Sequence, residues 1–130
     1  MKKLLVLGIA ILLAVLLVGC NTNTMSSFWT GASGVKSDLQ DDSWGMTAKT
    51  VNGNAMRNIY MTQESLSALY VDNTNSEGKV MVIILGPEER SFDVSGSFHM
   101  KLDTSGLEPG WYTIRLECEG VKNWDLRIKW

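Results

Sequence analysis

The side chains best able to do chemistry are few in this sequence, and their spacing leaves most of them idle. His99 is the only histidine among 130 residues. In the run Phe98-His99-Met100-Lys101-Leu102 it alternates away from the apolar positions, so an imidazole facing solvent is expected. No Gly-x-Ser-x-Gly turn supplies it with a nucleophile. The acid pairs Asp41-Asp42 and Glu88-Glu89 fall in loop-like stretches, whereas glycosidase chemistry needs carboxylates held apart across a cleft. Asp72, Asn73, Asn75 and Glu77 precede Gly78 much as in the start of a calcium loop. Counting Asn73 as position 1, however, puts Ile84 where the bidentate glutamate of position 12 belongs. One histidine and two cysteines do not make a zinc set. Neither a catalytic group nor a metal or other cofactor is expected.

Binding is the better use of what remains. The chain holds five tryptophans. Trp124 and Trp130 share a strand face with Leu126 and Ile128 and are expected in the core. Trp111 points away from Tyr112, Ile114 and Leu116, and Trp44 is a second candidate for the surface. In Lys79-Val80-Met81-Val82-Ile83-Ile84-Leu85 both strand faces are apolar. One row, Val80, Val82 and Ile84 or Met81, Ile83 and Leu85, must therefore look outward. An outward row of Met81, Ile83 and Leu85 near Trp111 would form a contact patch, because monomers rarely leave such surface bare. The competing expectation is that segment 28–42 covers it. Cys118 lies on the Tyr112 face beside Glu117 and Glu119, and is expected to be a buried, inert thiol.

The other cysteine stands in a different context. Lys2 and Lys3 form a basic start, and Leu4 to Val18 is an uncharged apolar run of 15 residues. That is the length of a secretory h-region and short of a membrane-spanning helix. Leu17-Val18-Gly19-Cys20 then resembles the lipobox of bacterial lipoproteins. The resemblance implies cleavage between Gly19 and Cys20 and a diacylglycerol thioether on the Cys20 sulfur. It also implies a protein anchored by lipid to the cell membrane, on the extracytoplasmic face. Two or three acyl chains hold a domain firmly, where one holds it only marginally. Removing Lys2 and Lys3 leaves 10 basic against 14 acidic side chains, a net charge of −4. No Lys/Arg cluster follows residue 3, which argues against nucleic acid and anionic lipid surfaces as partners.

The elements that must position these residues read as strands. Residues 1–19 are expected to be the signal peptide and 20–42 the lipidated cysteine, a polar tether and a loop, leaving 43–130 as one folded domain. Phe28 and Trp29 are expected to pack on the domain in preference to the lipid interface. Ser43 to Val51 reads as a strand, with Asn52-Gly53 as a hairpin turn before a second strand at Arg57 to Thr62. Further strands are expected at Leu66 to Asp72, Lys79 to Leu85 and Arg90 to Val94. Three cleanly alternating strands close the chain, around Phe98–Leu102, Trp111–Cys118 and Asn123–Trp130. About 7–8 short strands at this spacing, with no convincing helix, predict an all-β antiparallel sandwich of jelly-roll or Ig-like type.

Leu107-Glu108-Pro109-Gly110-Trp111-Tyr112-Thr113-Ile114-Arg115-Leu116 resembles a turn-and-strand motif of secreted bacterial β-sandwiches, among them pre-peptidase C-terminal domains and Ig-like modules. The resemblance implies a fold class; fold does not carry function. The function expected is a non-enzymatic envelope module that binds another protein, with glycan binding through surface tryptophans as the alternative.

Overall fold

A computed structural model describes residues 25–130. The signal peptide, its cleavage site and Cys20 therefore lie outside the described residues. Strands dominate: β1 (Ser26–Ser33), β2 (Lys36–Leu39), β3 (Ser43–Met61), a short helix α1 (Gln63–Ala68), β4 (Tyr70–Thr74), β5 (Glu77–Leu85), β6 (Arg90–Asp93), β7 (Ser97–Lys101) and β8 (Gly110–Lys129). The class is all-β and every pairing is antiparallel.

Two long strands organise the sheet. β3 and β8 pair from Ser43↔Lys129 to Met61↔Gly110, and the ladder slips between Val51 and Gly53. On one side of that slip the order is β2-β3-β8-β4-β7; on the other it is β1-β3-β8-β5-β6. The corner is built from residues that tolerate positive φ: Gly53 at 126°, Gly120 at 59° and Asn123 at 51°. The Asn52 side chain accepts a bond from the Gly120 amide at 2.6 Å, tying the two bends together. The inward faces of both halves then share one core. Trp44, Met46, Trp124, Leu126 and Ile128 come from one half; Val80, Val82, Ile84, Ile114 and Leu116 come from the other.

Several expectations change at this level. Asn52-Gly53 is no hairpin turn: the Ser43–Val51 and Arg57–Thr62 segments are one strand, and the pair sits in a bulge. Both features demand the same backbone freedom, so the dipeptide cannot tell them apart. The two closing segments after Pro109 are likewise one strand, β8. Leu66 to Asp72 does not form a strand throughout. Thr62 caps α1 by accepting from the Ser65 amide at 3.0 Å, and strand structure begins only at Tyr70. Segment 20–42 is more than tether and loop, since from Ser26 onward it supplies β1 and β2. On β7 Met100 is exposed, although Phe98 packs against the core and Leu102 is buried.

Candidate functional site

The outer face of the β1-β3-β8-β5-β6 half collects the chain's exposed aromatic groups. Alternation along β8 turns Tyr112, Ile114 and Leu116 inward, so Trp111, Thr113, Arg115 and Glu117 look out. Register sets Tyr60 opposite Trp111. The rings meet edge to face with centroids 5.5 Å apart and planes at 72°. Both remain open, Trp111 at 47% and Tyr60 at 53% exposure. Next along the ladder, the Thr113 hydroxyl donates to Asn58 Oδ1 at 2.6 Å. Beyond that, Arg115 pairs with Glu117 at 3.0 Å.

β5 lies on the other side of β8, with Leu85 opposite Thr113, Ile83 opposite Arg115 and Met81 opposite Glu117. Val80, Val82 and Ile84 are the inward row, fully buried. Met81, Ile83 and Leu85 are the outward row, as one of the two alternatives required. Segment 28–42 does not cover them, because it pairs with β3, two strands away. Ile83 is nevertheless only 9% exposed between Arg115 on β8 and Ser91 on β6, whereas Met81 and Leu85 are half-buried. The patch is therefore real at Trp111, Tyr60, Leu85 and Met81, and closed over at Ile83. Trp44, the other surface candidate, is wholly buried and belongs to the core. Of the early aromatic pair, Trp29 packs against the core while Phe28 stays 68% exposed.

Two clefts flank this face. One, of about 330 Å³, lies between Gly53, Asn54, Lys79, Met81, Glu117 and Cys118. The other, of about 290 Å³, is walled by Pro87, Glu88, Leu107, Glu108, Pro109 and Trp111. The loop that forms the second cleft is fixed by the Tyr112 hydroxyl, which donates to the Glu108 carbonyl. Arg90 steadies it further by donating to the carbonyls of Asp103 and Ser105.

The remaining candidates are placed elsewhere. His99 is on the solvent side of β7, as expected, and its Nδ1 lies 2.8 Å from Asp72 Oδ1. Its Nε2 lies 3.1 Å from the Ser97 hydroxyl. The order hydroxyl, imidazole, carboxylate is that of a nucleophilic triad. It stands on exposed strand surface, and neither cleft includes it. Asn73 and Asn75 spend their amides on structure: Asn73 Nδ2 donates to the Val94 carbonyl at 2.8 Å, and Asn75 Nδ2 donates to the Glu77 carbonyl at 2.7 Å. Among the described residues, no group of three or more His, Cys, Asp or Glu side chains is gathered for a metal ion. Glu88 reaches Arg90 at 3.5 Å, and the carbonyls of Asp41 and Asp42 accept from Trp130.

Cys118 is buried at 6% exposure, and burial pushes its thiol from the ordinary 9.0 up to about 12. A raised thiol pKa favours the folded state fully below 9.0, and this contribution disappears as pH climbs through about 12. The native thiol is thus expected to resist iodoacetamide at neutral pH and to react readily in denaturant. Mass spectrometry of Cys118 adducts checks it; equal labelling in both conditions would contradict the burial argument.

Tyr60 is the main residue that sequence reasoning missed. Its signal was available, since Ile59 and Met61 alternate with it and are buried. The cleft loop was seen only as a turn leading into a strand. Comparison with known protein families matches no family model, and comparisons with curated proteins and with solved structures find no match.

Proposed function

We propose that this chain is a membrane-anchored envelope lipoprotein, held on the extracytoplasmic face by lipid on Cys20. In this reading its β-sandwich is a non-enzymatic module that binds an envelope protein. One observation carries it: the exposed Tyr60–Trp111 pair lies beside the half-exposed Leu85 on the same strand face. Large aromatic side chains left in water cost little in a free monomer and contribute much when a partner desolvates them. They are enriched among the residues that dominate interface energies.

In-cell crosslinking followed by membrane extraction and mass spectrometry tests the proposal. Trp111→Ala is expected to reduce recovery of the main protein partner roughly tenfold or more, in line with a loss of about 2 kcal/mol at an aromatic anchor. Thermal stability should change by less than about 1 kcal/mol, because the ring is already half in solvent. Recovery unaffected by the substitution would remove this face from the account.

A second reading is favoured by a specific feature. Asn58, Thr113, Arg115 and Glu117 form a polar stripe between the Trp111 end and the β5 row, where hydrogen-bonding groups could meet sugar hydroxyls. Recovery of polysaccharide in place of a protein in the same experiment would select glycan binding.

A further inference from the structure

From the cleft beside Trp111 we infer that the protein partner inserts a lysine or arginine side chain there; the inference rests on the binding reading above. The volume, about 290 Å³, matches roughly ten waters at about 30 Å³ each. That space holds one long side chain and not a helix or a strand. Pro87, Leu107 and Pro109 offer apolar walls to a methylene stem. Trp111 offers an indole, the ring type that attracts a cationic head most strongly.

The charge around the opening is one-sided. Glu88 and Glu108 line the cleft and both are exposed; Glu89 follows in the same exposed loop. The nearby cation is Arg90, whose guanidinium is turned to the Asp103 and Ser105 carbonyls and touches Glu88 only at 3.5 Å. The Glu108 carboxylate has no ion-pair partner among the described residues. A neutral apolar side chain would fit the walls but leave these carboxylates unanswered. An acidic one would be repelled. A cation with an apolar stem satisfies both.

The test uses the full-length protein in detergent micelles, with arginine amide as probe and norleucine amide as its uncharged match. The Trp111 indole N–H signal is followed by NMR. Arginine amide should shift it and bind about threefold to tenfold more tightly than norleucine amide, the scale of one exposed cation–aromatic contact plus one exposed ion pair. The paired change Glu88→Gln and Glu108→Gln should erase that preference, and so should high salt. If the two amides bind equally, or if the glutamine variant retains the preference, the cationic occupant is overturned while the contact face stands. If arginine amide behaves as expected but partner recovery ignores Trp111→Ala, the partner reading falls and the assigned occupant falls with it.

Discussion

Replacing Arg57 with methionine is expected to destabilise the domain by about 3 to 5 kcal/mol, the usual cost of removing one member of a buried, hydrogen-bonded charged set. Arg57 lies mid-way along the inner face of β3 and is only 2% exposed. Its Nη1 donates to the Ser43 carbonyl at 2.8 Å, and its Nη2 donates to the Gln40 carbonyl. The guanidinium carbon stands 5.1 Å from the centre of the Trp130 ring. One planar group thus gathers the turn before β3 and the residue that follows β8. Burial lowers its pKa, and the charge of Asp41 works against that. Methionine fills much of the volume but leaves two carbonyls without donors, at roughly 1 to 3 kcal/mol each. Arg57→Lys should recover only part of the loss, because an ammonium cannot bridge both carbonyls and stack on the indole together. Thermal unfolding followed by circular dichroism reads this as a drop of more than about 10 °C for Arg57→Met and about half that for Arg57→Lys. Equal melting temperatures for all three proteins would show that the clamp contributes nothing.

Arg57 also marks a boundary of what the sequence could reveal. Alternation placed most core residues correctly: Trp124, Leu126, Ile128, Tyr112, Ile114, Leu116 and Cys118 all point inward. An arginine in the same inward series as Ala55 and Ile59 breaks the pattern, and its partners lie 14 and 17 residues away. Nothing local announces those distances. The same holds for the site. Trp111 was identifiable by parity, but its partner Tyr60 depends on a pairing between residues 51 apart in the chain. The contact row on β5 was legible only as a choice between two faces, since a strand that is apolar on both sides carries no parity signal.

Strand lengths were misread for a related reason. Glycine and asparagine permit positive φ, and turns, bulges and bends all draw on that permission. Asn52-Gly53 and Gly120 therefore looked like chain reversals, although each belongs to a strand that continues past a corner. Which outcome occurs is decided by long-range pairing. Here β3 and β8 hold each other on both sides of the bend, so neither has to end.

Gly78 gives this corner argument its most demanding test. The β5–β8 ladder slips between Glu77 and Lys79, so Gly78 is the bulged residue. It adopts φ 89°, and a Cβ there would collide with the backbone carbonyls of Gly120 and Glu119. The slip also fixes parity: moving β5 by one residue would turn Val80, Val82 and Ile84 outward and Met81, Ile83 and Leu85 into the core. Gly78→Ala is therefore expected to cost about 3 to 4 kcal/mol, combining backbone strain with overpacking against groups that cannot rotate away. Gly96 provides the matched comparison. Its φ is 81°, almost the same, yet a Cβ there would meet nothing within 4 Å. Gly96→Ala should thus show the backbone term alone, about 1 kcal/mol. The excess at Gly78, read by thermal unfolding at roughly 4 °C per kcal/mol, measures how tightly β5 and the bend of β8 are pressed together. Equal losses at the two glycines would mean that conformation, and not close approach, sets the corner. The register of the outward row beside Trp111 would then need another explanation.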